Sequence, residues 1–421
     1  MDAKEPGRRR FLKEGAALAG LALGAGPIRS ASGQTAGSEA PPEDPRAYGV
    51  RSRFENSARG PLEPGYGPGG TPLQDSMGII TPSGLHFQIG GFPSPSPPPD
   101  IDPRQYRLLI HGLVDRPLIL TLAELKRLPS VSRIHFIECA GNTDPSIDPS
   151  RPLARQTRET VQETHGSTAC SEWTGVLLSL LLKEAGVQRG ASWIVADGAD
   201  PNKRAKSMPL EKARDDVIVA YGQNGEAIRP EQGYPLRLVT PGWEGVHNIK
   251  WLRQIKVVGQ PYMTRDDAVK YSILRPDGTA RWFMFEMGPN SVITFPSGKQ
   301  QLSSRGFYEI RGLAWSGGGV VRRVEVSTDG GRTWKDAQLQ EPVLRIAHTR
   351  FRFPWNWDGE EAVLQSRCTD ERGAVQPSLA EMGRIWGANP EYWKSHQALH
   401  FNPIQPWKVT REGSVSNAMF L

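Results

Sequence analysis

The residue best placed for chemistry is Cys139, in the stretch R-I-H-F-I-E-C-A-G-N over residues 133–142. The apolar alternation before it predicts a strand, and the small residues Ala140, Gly141 and Asn142 predict a turn directly after it. A thiolate at such a strand end is presented at a rim, where the small residues let a bulky group approach the sulfur. The alternative is an ordinary buried cysteine, which acts as a small hydrophobe. The pattern alone leaves both interpretations open.

A second stretch, Q-G-Y-P-L-R at 232–237 followed by V-T-P-G-W-E-G-V-H-N-I-K-W-L at 239–252, predicts a strand that delivers a glycine-flanked loop. The loop carries His247, Asn248 and Lys250, and its backbone N–H groups and cation suit a phosphate-bearing ligand. The chain has no G-x-x-x-x-G-K-[ST], and no G-x-G-x-x-G follows a strand, which excludes the usual nucleotide sites. A purely structural turn remains the alternative.

Composition and cysteine count narrow the class of protein. The 421 residues are 38% hydrophobic and 23% charged, which is typical of globular domains. The net charge is +6, and the 51 Lys and Arg residues are scattered among 45 acids, so nucleic-acid binding is not indicated. Cys139, Cys170 and Cys368 have neither zinc nor C-x-x-C spacing, and at most one disulfide can form. This count fits a metal site with one cysteine ligand better than a site built from several cysteines.

The N-terminus predicts export. R-R-R-F-L-K at 8–13 precedes a weakly apolar, Ala/Gly-rich segment, which indicates a twin-arginine signal peptide over residues 1–33 and a periplasmic location. A membrane anchor is the alternative, but the apolar segment is too short to span a bilayer, and no other segment reaches that length. Residues 34–75 are rich in Gly and Pro and predict a linker or a surface-draped arm.

The remaining pattern predicts an α+β fold in two domains. Residues 76–289 mix strands and helices and predict a mixed sheet, with a capped helix at Thr121 and a helix over 173–185. Residues 290–421 contain short alternating strands separated by Gly/Asp turns, such as Asp329-Gly330-Gly331. These strands predict an immunoglobulin-like β-sandwich.

Three motifs together resemble the sulfite oxidase family of molybdenum enzymes. They are E-C-A-G-N at 138–142, G-Y-P-L-R-L-V-T-P-G-W-E-G-V-H-N-I-K-W-L at 233–252 and V-S-T-D-G-G-R-T-W at 326–334. The resemblance covers roughly residues 79–415. Within the family, five further segments most resemble the SoxC branch, the molybdenum subunits of sulfane (sulfite) dehydrogenase: 164–166, 171–176, 221–226, 314–319 and 350–359.

The resemblance implies one molybdenum–molybdopterin per chain and a set of site residues. Cys139 is implied as the thiolate ligand of molybdenum, which suits a soft metal site. Tyr271 is implied as the active-site tyrosine that assists proton and electron transfer, with a packed surface tyrosine as the alternative. The implied cofactor-binding residues are Phe87, Gln88, Ile89, Gly90, Gly91, Asp200, Gln232, Arg237, Asn248, Ile249 and Lys250. Arg237 and Lys250 suit the cofactor's phosphate.

Two departures from the family bear on the substrate. Members that oxidise free sulfite hold the dianion with arginines, and the matching positions here are Ile89 and, after C-A-G-N, Thr143 with Asp144. Their absence weakens binding of a small dianion and favours a sulfane sulfur on a carrier protein. Arg350 and Arg352 in the sandwich are candidates for an arginine that reaches the pocket.

The resemblance also implies partners. No haem motif is present, so electrons are expected to leave to a c-type cytochrome like SoxD, and the sulfur is expected to arrive on a carrier like SoxY. The C-terminal domain is expected to form a homodimer. The alternatives are a direct sulfite dehydrogenase, a sulfoxide reductase of the same superfamily, or an exported non-catalytic binding protein in which Cys139 is inert.

Overall fold

The computed structural model describes residues 49, 51–61, 68–89, 97–146, 158–200, 203–396 and 398–420. The predicted signal peptide, residues 1–33, lies outside them. The chain divides into two units at Glu55. In the first unit the described residues include an Arg51–Glu55 ion pair at 3.5 Å. The second unit, residues 56–421, contains both predicted domains.

The strands of the predicted first domain form two five-stranded sheets, one of them mixed, and two small hairpins. In chain order they are β1 Gly60–Pro61, β2 Pro68–Gly70, β3 Arg107–Gly112, β4 Leu118–Thr121, β5 Val131–Glu138, β6 Thr168–Leu177, β7 Trp193–Gly198, β8 Ala205–Pro209, β9 Ile218–Gln223, β10 Glu226–Ala227, β11 Arg237–Val239, β12 Leu252–Val258, β13 Ile273–Leu274 and β14 Ala280–Arg281. The helices are α1 Leu122–Leu125, α2 Val161–His165, α3 Leu178–Ala185 and α4 Leu210–Asp215.

The two large sheets enclose the core of this domain. One runs β4-β3-β12-β7-β8, in which β12 is parallel to β3 and the other pairs are antiparallel. The other runs β10-β9-β6-β5, with β11 also paired to β9. Leu108, Ile110, Leu181 and Ile255 belong to one buried cluster between the sheets and α3. The predicted mixed sheet and α+β class are confirmed.

Two local predictions about the helices have different outcomes. Thr121 and Glu124 form the capping box predicted at the start of α1. The helix predicted over 173–185 begins only at Leu178, because residues 173–177 belong to β6: residues 173–175 pair with both β5 and β9, and residues 176–177 pair with β9. It ends as predicted at Gly186, which adopts a left-handed φ of 71°.

Part of the predicted linker is folded. β2 lies within residues 34–75 and pairs with β1, and the Thr71 N–H donates to the Gly166 carbonyl at 2.8 Å. Leu73 is only 1% exposed and packs in the same core cluster as the sandwich tryptophan Trp315. The folded chain therefore starts before the predicted boundary at residue 76, because a leucine in this Pro/Gly-rich stretch is buried against the second domain.

The second domain is a sandwich of a four-stranded and a five-stranded sheet, ordered β15-β16-β20-β19 and β18-β17-β21-β22-β23. Its strands are β15 Asn290–Phe295, β16 Gly306–Trp315, β17 Val321–Ser327, β18 Lys335–Asp336, β19 Gln338–Gln340, β20 Thr349–Trp357, β21 Ala362–Asp370, β22 Trp407–Val409 and β23 Val415–Asn417. This confirms the predicted sandwich. Between β21 and β22 it carries two helices that the sequence prediction did not include, α5 Leu379–Trp386 and α6 Pro390–Ser395.

These two helices help to position the site. They pack in a buried cluster that contains Trp386 and Trp393 from the helices, Ile273 from β13, and Ala140, the residue after Cys139. The C-terminal domain therefore forms one wall beside the Cys139 turn. Among the described residues, no helix is long and apolar enough to cross a bilayer.

Candidate active site

Cys139 sits at the end of β5, as the sequence predicts. Its N–H donates to the Ser167 carbonyl at 3.0 Å, and its carbonyl accepts from the Asn142 N–H at 2.9 Å, which closes the turn. Its side chain is partly exposed, whereas Cys170 and Cys368 are fully buried thiols. Burial raises the pKa of Cys170 to about 12, and that of Cys368 also rises. Of the three cysteines, Cys139 alone combines access with a rim position.

The glycine-flanked loop after β11 packs directly against this turn. Glu244 forms a parallel bridge with Glu138, the residue before the cysteine. A Cβ added to Gly245 would lie 2.8 Å from the Glu138 carbonyl oxygen and 3.2 Å from the Cys139 Cα. Only glycine allows this approach without a shift of the turn. The W-E-G-V segment therefore helps to hold Cys139 in place.

A buried polar network supports the turn from behind. The Glu138 carboxylate accepts from Trp315 Nε1 at 2.7 Å and from Asn142 Nδ2 at 2.8 Å. Burial raises the pKa of Glu138 to about 7, although both hydrogen bonds oppose the rise. Next to it, His400 Nε2 lies 2.7 Å from Glu244 Oε1. Trp315 and His400 come from the C-terminal domain, so both domains fix the cysteine.

Arg237, on β11, is a buried cation. Its Nη1 donates to the Gln232 carbonyl at 3.0 Å and its Nη2 to the Asn248 carbonyl at 3.1 Å. Nε has no hydrogen-bond partner among the residues that the structure describes. Its guanidinium carbon lies 4.8 Å from the centroid of the Trp173 ring. Burial lowers its pKa to about 9.

Lys250 lies beside Arg237. Its Nζ donates to the Glu231 carbonyl at 2.8 Å. Burial, then the charges of Arg237 and Arg204, lowers its pKa to about 7. In the described part of the chain, no carboxylate lies within ion-pair distance of Lys250 or Arg237.

The predicted pterin-lining segment reaches the same region. Phe87 packs in one apolar cluster with Cys139, and its carbonyl accepts from Gln232 Nε2 at 3.0 Å. Gln88 Oε1 accepts from Arg59 Nη1 at 3.0 Å, and Ile89 is 39% exposed. Gly90 and Gly91 lie outside the described residues.

Asn248 and Ile249 have side chains that serve the fold. Asn248 Oδ1 accepts from the Thr240 N–H at 2.8 Å, and its Nδ2 donates to the Glu244 carbonyl at 3.2 Å. Ile249 is buried in the core between the sheets. Both residues stay predictions as cofactor-binding residues, because the structure uses their side chains for the shape of the loop.

Tyr271 lies beside the Cys139 turn. It follows a π-helical turn at Asp266–Lys270, a geometry that is frequent at functional sites. It packs in the cluster that contains Ala140, and Lys206 Nζ lies 5.0 Å from the centroid of its ring. Burial, then the nearby charge of Cys139, raises its pKa above the ordinary value. Tyr271 is partly exposed and packed next to the Cys139 turn, so its role as the active-site tyrosine stays a prediction beside the alternative of a packed surface tyrosine.

Two cations near Tyr271 were missed by the sequence reasoning. Lys206 Nζ forms a buried ion pair with Asp267 Oδ1 at 2.9 Å. The Arg204 backbone N–H donates to Asp200 Oδ2 at 3.1 Å, and although burial opposes the change, nearby Tyr271, Asp266 and Asp200 raise the pKa of Arg204. The sequence signal for them is the presence of Arg204 and Lys206 at alternate positions just before the apolar Met208. Charged side chains in such a strand are rarely buried unless they are paired.

The two arginines proposed to reach the pocket from the sandwich point elsewhere. Arg350 Nη2 donates to the Ser76 carbonyl and hydroxyl, and Arg352 Nε donates to Gln338 Oε1 at 3.0 Å. Arg350 therefore ties the N-terminal segment to the sandwich, and Arg352 joins two strands of one sheet. The prediction that one of these arginines reaches the pocket is therefore wrong.

The residues present fit a cofactor with an anionic group and a soft metal. Within the described part of the chain, the buried Nε of Arg237 and the buried Nε2 of His86 both lack hydrogen-bond partners. Burial, then the charge of Arg237, lowers the pKa of Lys250, and burial lowers that of Arg237; an incoming phosphate would oppose both effects. Cys139 supplies an accessible sulfur in the same apolar cluster as Phe87.

Comparison with protein families agrees with this geometry. Residues 95–265 match the oxidoreductase molybdopterin binding domain, and residues 281–397 match the Mo-co oxidoreductase dimerisation domain. The first range contains Cys139, Arg237 and Lys250, and the second contains most of the sandwich.

Among solved structures, the chain is similar to the sulfane dehydrogenase SoxCD from Paracoccus pantotrophus. The TM-score is 0.80 with 37% sequence identity, and the match covers 91% of this chain and 96% of that chain. The similarity therefore spans both domains.

Curated relatives include plant nitrate reductases. The chain is 32% identical over 349 residues to nitrate reductase [NADH] of Solanum lycopersicum, which covers 73% of this chain and 37% of that protein. It is 33% identical over 313 residues to nitrate reductase [NADH] of Petunia hybrida, with 66% and 33% covered. The chain thus spans about a third of the length of these relatives.

Proposed function

The chain belongs to the sulfite oxidase family of molybdenum enzymes, with molybdenum and molybdopterin as its cofactors, and on that basis we propose that it oxidises sulfur compounds. The proposed substrate is a sulfane sulfur bound to a carrier protein. The observation that carries the proposal is an accessible Cys139 in a site whose positions 89 and 143 hold Ile and Thr. The 37% identity to a sulfane dehydrogenase supports it.

The cofactor side of the site is proposed from two cations, of which Arg237 is buried and Lys250 is partly exposed. Arg237 and Lys250 would hold the anionic group of the molybdopterin, with Gln232 and Phe87 lining it. Cys139 would ligate the metal. The metal, when bound, supplies the two-electron oxidation and the oxygen transfer from water.

The proposed substrate is inferred from the residues near the Cys139 turn that would face it. Ile89 offers no cation, and Asp144 adds negative charge, with its carboxylate accepting the Ala398 N–H at 3.0 Å. A small dianion gains little from such surroundings, because charge-assisted hydrogen bonds supply most of its binding. A sulfur held on a protein can gain its affinity from contacts outside the pocket.

The overall reaction balances with water as the oxygen source. For a persulfide on a carrier cysteine it is R–S–S⁻ + 3 H₂O → R–S–SO₃⁻ + 6 H⁺ + 6 e⁻. Each two-electron step adds one oxygen and releases two protons. In this proposal Tyr271 would hydrogen-bond an oxygen of the substrate and pass a proton on.

The proposal includes the partners and the location. Electrons leave to a c-type cytochrome like SoxD, the sulfur arrives on a carrier like SoxY, and residues 290–421 form a homodimer. The dimerisation-domain match at 281–397 supports the homodimer. The proposed export by the twin-arginine pathway depends on residues 1–33, and a fusion of those residues to a reporter, with Arg9 and Arg10 changed to Lys, tests it.

The testing experiment compares substrates on the purified, molybdenum-loaded protein. We expect near one molybdenum per chain, reduction of cytochrome c with an S-thiolated carrier, and slow turnover of free sulfite. A Cys139→Ser variant should lose activity and the spectroscopic signature of thiolate ligation.

Other outcomes of this comparison would each favour a different function. Efficient sulfite oxidation without a carrier would favour a direct sulfite dehydrogenase, and reduction of nitrate would favour the chemistry of the plant relatives. A protein without molybdenum from a host that makes the cofactor would leave a binding protein.

A further inference from the structure

The N-terminal arm, defined as residues 56–89, touches the proposed cofactor site, although the sequence predicts most of it to be a linker. The structure describes residues 56–61 and 68–89 of this arm. β1 and β2 pair with each other, and the Gln88 N–H donates to the Gly69 carbonyl at 2.7 Å. This bond ties β2 to the segment that the resemblance assigns to the pterin. The arm therefore lies against one wall of the site.

The middle of the arm is fixed to the second domain. Gln74 Nε2 donates to Ser297 Oγ at 2.8 Å and to the Gly298 carbonyl at 3.0 Å, and Leu73 is buried with the core of the sandwich. Because β2 ends at Gly70, shortly before these anchors, they also fix the position of the β1–β2 hairpin.

Arg59, the residue before β1, bridges two segments that border the site. Its Nη1 donates to Gln88 Oε1 at 3.0 Å and lies 3.9 Å from Glu231 Oε1. The same two segments are joined by the hydrogen bond from Gln232 Nε2 to the Phe87 carbonyl. Arg59 therefore lies where the predicted pterin segment meets the turn before β11.

Glu231 links Arg59 to the cations already assigned to the cofactor. Its carbonyl accepts from Lys250 Nζ at 2.8 Å, while its carboxylate faces Arg59. Burial and then Arg237 contribute most to the lowered pKa of Lys250, and the charge of Arg59 adds to the same effect. The charge of Arg59 thus acts in the same place as those of Arg237 and Lys250.

The charges on this side do not balance. Arg59, Arg237 and Lys250 are three cations, and among the described residues Glu231 supplies the one carboxylate at ion-pair distance from any of them. Its pair with Arg59 is long, and the two side chains are 22% and 19% exposed, so this pair adds little stability. An anion with two negative charges, such as a phosphate monoester, would offset the excess.

We propose that Arg59 is a cofactor-binding residue that supplies a third cation for the phosphate of the molybdopterin, so that the N-terminal arm helps to retain the cofactor. The planar guanidinium suits two phosphate oxygens. The cofactor-binding residues that the resemblance implies begin only at Phe87, so none of them lies in the part of the arm before it. This inference does not depend on which sulfur compound is oxidised.

The test measures retention of the cofactor rather than turnover. The loaded proteins are dialysed, and molybdenum and pterin per chain are followed with time. Arg59→Gln should lose the cofactor roughly tenfold faster than wild type, the lower end of the range for a charge-assisted contact, because Arg59 is partly exposed. Arg59→Lys should lie between them. Arg116→Gln removes an exposed cation that pairs with Glu184, and it should change the rate less than about twofold.

Glu231→Gln separates direct binding from support of the fold. This variant keeps the carbonyl that accepts from Lys250 and removes the carboxylate that competes for Arg59. If Arg59 binds the cofactor, Glu231→Gln retains it as well as wild type or better. A loss as fast as in Arg59→Gln would overturn the inference, because Arg59 would then act only through its ion pair. Wild-type retention in Arg59→Gln, or an equal loss in Arg116→Gln, would also overturn it.

A variant that does not load is tested as the apo protein. Its thermal midpoint without ligand shows whether it is folded, and inorganic phosphate should raise the midpoint of wild type. Arg59→Gln should need roughly tenfold more phosphate for the same rise. An equal response in both proteins, or no response in wild type, would overturn the inference. A protein that retains its cofactor through Arg59 but oxidises free sulfite refutes the proposed substrate and supports this inference.

Discussion

Two sets of cations lie near Cys139, and their partners differ. On the cofactor side, Arg237 and Lys250 donate to carbonyl oxygens, with no carboxylate at ion-pair distance among the described residues. On the side of Tyr271, Lys206 pairs with Asp267 at 2.9 Å.

This difference indicates which cations are paired with a carboxylate within the described part of the chain and which are not. A buried ion pair with further hydrogen bonds is internally satisfied and fixes its neighbours, but it is costly to break. A buried cation with only carbonyl partners is left electrostatically incomplete and favours an incoming anion. The cofactor side is thus built to accept charge, and the Tyr271 side is built to hold a tyrosine in position.

The largest expected effect is the loss of the internal pair. Lys206→Met leaves the carboxylate of Asp267 buried and without its cation, so we expect the free energy of unfolding to fall by about 3 to 5 kcal/mol. Thermal or urea unfolding of the apo protein measures it.

The double variant Lys206→Met/Asp267→Leu is the matched control. It removes both charges together, so it should be clearly less destabilised than the single variant. If the single change costs under about 1 kcal/mol, the pair is not the support that the comparison assigns to this side.

The next effect is a pH dependence on the cofactor side. In the folded apo protein the pKa of Lys250 is about 7, against 10.5 for an ordinary lysine. Between these values the unfolded chain binds more protons, so the stability should rise with pH. The slope cannot exceed about 1.4 kcal/mol per pH unit, and partial solvation of the amine reduces it.

Lys250→Met isolates this contribution. The variant should lose the rise between pH 7 and 9, and the loaded wild-type protein should lose it too, because a bound phosphate would keep the lysine charged. Equal slopes in wild-type and Lys250→Met apo protein would contradict the idea that this cation is incomplete.

Sequence reasoning worked best where the signal is local. Cys139 at a strand end, Arg237 on β11 and the capping box of α1 are each encoded within a few residues. The helices α5 and α6 also carried local signals, since Ser378 and Glu381 form a capping box and Gly387 ends the first helix. The sequence prediction assigns all of residues 290–421 to the sandwich, so it includes no helix at these signals.

The Tyr271 side could not be predicted in the same way. Lys206 and Asp267 are separated by 61 positions, and their pairing depends on how β8 packs against a π-helical turn. The strand that extends to Leu177 is a similar case, because pairing on both edges of β6 overrides the helical spacing of residues 173–177. Such tertiary contacts leave no periodic trace in the sequence.

A smaller effect is expected at Gly245, which packs against the Cys139 turn between the two sets of cations. Gly245→Ala places a Cβ against the Glu138 carbonyl and the Cys139 Cα, so the turn must shift. We expect a loss of about 1 to 3 kcal/mol in stability and a clear fall in molybdenum content. Gly141→Ala is the control, since its Cβ would meet nothing within 4 Å. Full molybdenum loading in Gly245→Ala would show that the turn tolerates the shift.

The smallest effect concerns Asp200, which the sequence assigns to the cofactor and the structure places in the turn that carries Arg204. Removing its carboxylate in Asp200→Ala deletes the acceptor of the Arg204 N–H, at a cost of about 0.5 to 1.5 kcal/mol. If Asp200 acts only in this turn, the variant keeps its molybdenum, and Asp200→Asn recovers the stability because an amide oxygen can accept the same bond. If Asp200 binds the cofactor, as the sequence predicts, the molybdenum content of Asp200→Ala falls as well. Stability and molybdenum content measured on the same variants therefore decide between the two roles of this carboxylate.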